Sequence, residues 1–245
     1  MGGPSHTSWN PGVLIAALHR ADDLIKAGET FEAQETLRPF LQGFDPSTAG
    51  ADPMLVYGVV LWLQCVAMPA PQRTQWARWA YATAVGLGDD HYPLAAMSGQ
   101  FWAGVLRDDG RAEESLSVLR DVLATVQRLH GDPVEVLHAR LDLAEGLHAA
   151  GRCVQALDTF DAVWQSWKAA PGDGQVGVTI GQAYLTVLAS CRRVDEFLRI
   201  LNEAAAHQPL TDAQIAAFGA RVEAHAPICA FRAGDAAGIT GRRPA

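Results

Sequence analysis

The sequence has few lysines and lacks an excess of positive charge. Lys26 and Lys168 are the only lysines, so arginine supplies most of the cationic groups, which is typical of high-GC, bacterial-like coding. The formal net charge is -8 and the isoelectric point is near 5.4. Because proteins that track a phosphate backbone usually carry a clustered basic patch, this composition argues against a nucleic-acid partner.

Cysteine is also sparse. Cys65, Cys153, Cys191 and Cys229 are far apart, with no C-x-x-C spacing and no histidine at a zinc-finger interval. We therefore predict four small buried side chains with unpaired thiols, no metal and no cofactor. Unpaired thiols and the lack of a cleavable apolar segment at the N-terminus predict a soluble protein of the reducing cytoplasm.

One uncharged run, at residues 54–72, challenges the prediction of a soluble protein. Its length approaches that of a membrane-spanning helix. Gly58 and Gln64 interrupt the run, however, and Pro69 ends it early. A buried helix explains these residues better than a membrane span, so we predict no membrane partner.

A helix-breaking turn recurs along the chain. The turns are marked by Gly28, Gly110, Gly151, Arg192 and Gly234, at nearly equal intervals except for the first, which is twice as long as the others. The turn missing from that first interval falls at its midpoint, at Pro69, which is another helix breaker. A fixed period, here about 41 residues, indicates tandem repeats, and a nonrepeating helical bundle is the alternative.

Apolar residues recur at helical spacing on both sides of each turn. Around Gly110, for example, Trp102 and Leu106 come before the turn and Leu116 comes after it. Two helices that each bury one stripe would require this pattern. Over residues 11–240 the sequence resembles the tetratricopeptide (TPR) repeat family. Its unit of about 41 residues is longer than the usual unit of about 34, and this longer period resembles kinesin-light-chain-like repeats.

The resemblance implies an all-α fold, a right-handed α-solenoid of about six antiparallel helix pairs in one domain. Residues 1–10 and 241–245 are expected to be flexible. Asp52 with Pro53, and Asp132 with Pro133, are suitable residues to begin the second and fourth pairs. The predicted pairs are 11–27 with 30–42, 53–67 with 72–87, 92–108 with 111–129, 133–149 with 152–170, 174–190 with 193–206, and 211–231 with a short terminal segment.

In TPR proteins the first helix of each pair lines a concave groove. The resemblance therefore implies a groove with an exposed aliphatic strip from the second pair and polar side chains from the third to fifth pairs. Such a combination suits a protein or peptide, and it would also suit a small ligand. The predicted groove residues are Val56, Val59, Leu63, Met97, Gln100, Arg107, His138, Asp142, Glu145, His148, Thr179 and Gln182.

The fourth pair carries the densest set of ionisable residues. Glu135, His138, Asp142, Glu145 and His148 follow one another at three- and four-residue steps, which places them on one helix face. The two Glu-x-x-His steps have the local spacing of di-iron helices, but that chemistry needs matching pairs from two facing helices. Here the two steps lie about 15 Å apart on one helix. A solvated or partner-binding face is favoured over a metal site or acid-base catalysis.

The sequence is compatible with three functions. No nucleophile elbow, phosphate-binding loop or other catalytic motif is present, and no catalytic residue is predicted. The leading hypothesis is a noncatalytic scaffold or adaptor that binds a protein or peptide. A small-ligand sensor or enzyme using His138, Glu145 and His148 is the second. The third is a homodimeric structural subunit that buries the aliphatic strip.

Overall fold

The computed structural model describes residues 10–129, 133–170 and 174–207. Within these ranges the chain forms ten α-helices, one short 3-10 helix and no strand. The chain divides into two compact units, with the boundary between Leu129 and His130. The first unit holds α1 (Pro11–Lys26), α2 (Thr30–Leu41), α3 (Pro53–Cys65), α4 (Ala70–Gly86), α5 (Tyr92–Asp108) and α6 (Ala112–Leu129). The second holds α7 (Pro133–Ala149), α8 (Cys153–Ala169), α9 (Gly174–Ser190) and α10 (Val194–His207).

The helices confirm the predicted all-α fold and its repeat. Every predicted helix end within the described residues lies within two residues of the observed end. The helices α5, α7 and α9 begin at equal intervals along the chain, at Tyr92, Pro133 and Gly174. The predicted sixth pair, from residue 211 onward, lies outside the described residues.

Four of the predicted turns share one hydrogen-bond pattern. At Gly110 the amide donates to the Arg107 carbonyl at 3.0 Å, and the next amide, of Arg111, donates to Leu106 at 2.8 Å. Together these two bonds form a Schellman motif, which satisfies carbonyls at the end of a helix. The same pair of bonds follows α1, α7 and α9, around Gly28, Gly151 and Arg192.

The residue at the centre of each of these turns has a positive φ. The values are 82° at Gly28, 76° at Gly110 and Gly151, and 55° at Arg192. Glycine adopts this left-handed conformation without steric cost, whereas an L side chain does not. Among the described residues, Arg192 is the only non-glycine with a positive φ.

Residues 54–65 of the uncharged run belong to the buried helix α3, as predicted, and the rest of the run forms the link to α4 and its first residues. Asp52 caps the N-terminus of α3. Its Oδ1 accepts hydrogen bonds from the Met54 amide at 2.8 Å and the Leu55 amide at 3.4 Å. The helix α3 ends at Cys65, and α4 begins after Pro69. No helix in the described ranges is long and apolar enough to cross a membrane. The similar predicted start at Asp132 lies outside the described residues.

Each unit has its own apolar core. In the first unit the largest fully buried side chains include Leu18, Leu37 and Leu61. In the second unit they include Phe160 and Trp164, and helices α7 to α10 all contribute buried residues. The apolar stripes identified in the sequence therefore hold neighbouring helices together within each unit.

Candidate functional site

The predicted aliphatic strip is not exposed. Val56 and Val59 have no exposed surface and Leu63 is 5% exposed. The reason is that α3 packs against α1, α2, α4 and α5, so more than one of its faces is buried. The prediction that these three residues line an open groove is therefore wrong, and they provide no apolar surface for a second subunit.

The other predicted groove residues of the first unit lie on α5. Met97, Gln100 and Arg107 are each half-buried. They lie on the same helix as Trp102 and Leu106, which are buried in the core. The helix α5 thus presents a partly accessible side that is less apolar than the strip predicted for α3.

In the second unit the predicted residues lie on α7 and α9, which are in contact. His138, Asp142 and Glu145 are half-buried on α7, and Thr179 and Gln182 are exposed on α9. We call these five side chains the α7/α9 polar face. Its role in binding remains a prediction.

His148 has different surroundings from the rest of its helix face. Its Nε2 atom is buried and has no hydrogen-bond partner. Burial lowers the pKa of the imidazole below its usual value, because charging a buried ring costs solvation energy. Burial therefore favours the neutral form of His148, which has a nitrogen lone pair available.

Two cysteines lie beside His148, although they are far from each other along the chain. One side-chain nitrogen of His148 and the Sγ atoms of Cys153 and Cys191 all lie within 4.8 Å of one another. His148 is in the last turn of α7, Cys153 is the first residue of α8, and Cys191 directly follows α9. Two successive repeat turns therefore supply the three groups, which we call the His-Cys-Cys cluster.

The state of Cys153 corrects the prediction of four unpaired thiols. Cys153 is disulfide-bonded in the structure and only 2% exposed. Spacing along the chain does not report which sulfur atoms a fold brings within bonding distance. The inference of a reducing compartment loses the support that it took from unpaired thiols.

The spacing of the repeat is a signal that could have revealed this cluster. Cys191 follows Cys153 by slightly less than one period of the repeat, and His148 belongs to the same turn as Cys153. In a repeat array, residues about one period apart lie in neighbouring helix pairs, at the same end of each pair. Zinc-finger intervals are too short to include such separations.

The second unit also has an open cleft of about 340 Å³ between α8, α9 and α10. On its wall, Arg199 contacts Asp161 at 3.3 Å, and the Tyr184 hydroxyl donates to the same carboxylate at 3.5 Å. Burial, followed by the charge of Asp161, raises the pKa of Tyr184 to about 12. The cleft is thus lined by groups that are already engaged with one another.

Beside this cleft, Glu203 accepts hydrogen bonds from three side chains. Its Oε2 receives the Lys168 ammonium at 2.7 Å and the Trp164 indole N–H at 2.8 Å, and its Oε1 receives Arg199 at 2.8 Å. Burial acts to raise the pKa of Glu203, but these bonds outweigh it and lower the pKa to about 2. The network ties α8 to α10.

Comparison with solved structures identifies the class of fold. Two crystal structures of TPR-like repeats from a Podospora anserina kinesin light chain, one of them a point variant, superpose with TM-scores of 0.62 and 0.63. They are 15% and 16% identical in sequence, and each match covers 82% of this chain and 97% of that chain. No protein-family model and no curated protein matches the sequence.

A Rap protein complexed with competence and sporulation factor has the same fold, with a TM-score of 0.63 and 12% identity. The match covers 89% of this chain and 57% of the Rap chain, so the present chain spans little more than half of that protein. The fold of this chain is therefore that of a TPR-like helical-repeat protein, with the long period seen in the sequence.

Proposed function

We propose that this protein is a noncatalytic scaffold that binds a segment of a partner protein, and that the α7/α9 polar face makes the contact. The observation that carries the proposal is that the first helices of successive pairs differ in how accessible their predicted groove residues are. The aliphatic side chains on α3 are buried in the core. By contrast, Thr179 and Gln182 on α9 are exposed, and the ionisable side chains on α7 are partly exposed.

The charge of α7 favours a basic partner. Along one side of the helix, Glu135, Asp142 and Glu145 supply three partly accessible carboxylates, and Arg140 is the only arginine on the helix. Complementary charge steers encounter and selects among partners. We therefore infer that the bound segment carries arginine or lysine. Met97, Gln100 and Arg107 on α5 form a separate proposed contact region in the first unit.

The fold comparison supports binding rather than catalysis. The Rap structure shows a protein of this fold in complex with a factor. A helical-repeat scaffold presents rows of side chains from successive first helices, and this suits an extended segment. Neither observation requires a catalytic group on the polar face.

An arrayed library of synthetic peptides with basic, acidic and uncharged members tests this proposal. We expect binding to be concentrated among the basic peptides. Fluorescence polarisation with the best basic peptide then compares Asp142→Asn with Asp121→Asn, which removes an exposed carboxylate from α6 instead. The first change should weaken binding about fivefold, as expected for a partly exposed ion pair, and the second should leave it unchanged.

A second matched pair of variants distinguishes an effect specific to the α7/α9 polar face from a general effect of substitution. Gln182→Ala removes an exposed amide from the polar face, and Gln165→Ala removes an exposed amide from α8. Weaker binding in the first variant alone supports the proposed surface. Equal affinities in both variants, or no preference for basic peptides, would refute it.

A further inference from the structure

The His-Cys-Cys cluster has the composition of a transition-metal site. Two thiolates and an imidazole are soft and borderline ligands, which suit zinc in tetrahedral geometry. Its three members come from the end of α7, the start of α8 and the end of α9. A metal held there would join two successive helix pairs of the second unit.

The distances are compatible with one ion. Zinc–sulfur bonds of about 2.3 Å and zinc–nitrogen bonds of about 2.0 Å place tetrahedral ligands about 3.5–3.8 Å apart. The three ligand atoms already lie within 4.8 Å of one another. Side-chain movements of about 1 Å or less would close the remaining gap, and rotation about χ1 and χ2 can supply them.

The burial of the cluster gives a second, independent indication. The Nε2 atom of His148 is buried without a hydrogen-bond partner, and leaving a buried polar atom in this condition is destabilising. A metal ion bound through this nitrogen would remove the deficit. Cys153 is almost fully enclosed and Cys191 is half-buried, so the surroundings are largely shielded from water.

We propose that the reduced protein binds one Zn²⁺ ion through His148, Cys153 and Cys191, and that this ion fastens the α7–α8 pair to α9. A water molecule or an added ligand completes the coordination, as in other zinc sites with three protein ligands. The two thiols release their protons to solvent when the metal binds. The bound charge of the site is then zero, which suits a buried position.

Reduction must precede metal binding because Cys153 is disulfide-bonded in the structure. A water-soluble phosphine serves as the reductant. It is oxidised to the phosphine oxide with an oxygen atom from water, the S–S bond breaks, and the two sulfur atoms take up the two protons of that water as thiols. The site is thus closed to zinc in the disulfide form and open to zinc in the dithiol form.

The test uses the full chain, reduced with the phosphine, passed over a desalting column without oxygen and mixed with a small excess of Zn²⁺. After removal of unbound metal, elemental analysis should find about one zinc ion per chain. Co²⁺ in place of Zn²⁺ should give thiolate-to-cobalt charge-transfer bands and the visible bands of tetrahedral cobalt. Protein that has not been reduced should retain much less metal.

Variants identify the ligands. Cys191→Ser and His148→Gln should each lower zinc retention at least tenfold, since the loss of one ligand from a three-ligand site removes much of its affinity. Cys65→Ser is the matched control, because Cys65 is a half-buried cysteine of the other unit with its thiol hydrogen-bonded to Leu61. Unchanged retention in both ligand variants, or no retention by the reduced wild type, would overturn the proposal.

A measurement on the wild type keeps the test decisive if a variant fails to fold. Alkylation of the reduced protein, followed by mass spectrometry of its peptides, reports each thiol separately. Zinc should slow the alkylation of Cys153 and Cys191 at least tenfold and leave Cys65 unchanged. Equal rates with and without zinc would refute the site. This result is independent of the proposed binding of a partner segment.

Discussion

Trp167 and Gly177 pack so closely that a methyl group has no room between them. A Cβ atom built on Gly177 would lie 2.1 Å from Cζ2 of the Trp167 indole and 2.4 Å from Cε2. The contact brings the end of α8 against the start of α9, where one helix pair meets the next. A residue without a side chain is therefore required at this position.

Gly177→Ala should lower the free energy of unfolding by about 1–3 kcal/mol, because overpacking forces the indole or the backbone to move. Chemical denaturation measures the change. Gly104→Ala is the control, since its new Cβ would meet nothing closer than an Arg107 guanidinium nitrogen at 4.0 Å. That variant should gain up to about 1 kcal/mol from helix propensity. A Gly177→Ala protein as stable as the control would contradict the packing described.

Arg192→Gly should stabilise the protein by about 1 kcal/mol. Arg192 has a φ of 55° in a turn whose counterparts are glycines, and an L residue in this region carries a cost of about 1–2 kcal/mol. The gain is reduced by the greater freedom of glycine in the unfolded chain. Urea denaturation reports the difference.

The reverse change provides the control for that turn. Gly151→Ala places a side chain at a φ of 76° in the equivalent motif. This change should lower the free energy of unfolding by about 1 kcal/mol. The changes in the free energy of unfolding caused by the two substitutions should therefore have opposite signs. A loss of stability in Arg192→Gly would show that its side chain contributes more than its backbone costs.

Val59→Thr tests whether the aliphatic side chains of α3 are buried. Val59 is fully buried on α3, so a hydroxyl placed there loses its water and should cost about 1–2 kcal/mol of stability. Val85→Thr on α4 is the matched control, since Val85 is 55% exposed. Thermal unfolding should show a lower midpoint for Val59→Thr only. If both variants melt like the wild type, Val59 is accessible after all.

The Glu203 network predicts a stability that depends on pH. The pKa of Glu203 is lowered to about 2 in the folded protein, so the unfolded state binds more protons between about pH 5 and pH 2. Its contribution is therefore fully present above the unfolded pKa, near 4.3, and is lost as the pH falls through this window. Allowing for solvent screening, we expect a loss of about 1 kcal/mol.

Glu203→Gln should flatten this part of the curve. Urea midpoints measured from pH 6 to pH 2.5 would fall less steeply for the variant than for the wild type. Gln165→Ala, at an exposed site on α8, removes no titratable group and should leave the slope unchanged. Parallel curves for Glu203→Gln and the wild type would show that the three hydrogen bonds do not depress the pKa as described.

The helices, their period and their ends could be predicted from local features of the sequence. Gly110 and Gly151 mark turns because few residues adopt a positive φ, and Asp52 with Pro53 starts α3 because both act on the backbone next to them. Such effects are local and can be read from a few neighbouring residues. The polar character of α7 was evident for the same reason.

The accessibility of side chains, and the contacts between residues far apart in the chain, depend on the packing of the helices. Val56 and Val59 were expected to face a groove, but packing against four helices buries them. Cys153 and Cys191, separated by nearly one repeat period, come together with His148 because successive pairs stack with their turns at one end. Stacking depends on the summed shape of many side chains, and no local pattern encodes that sum.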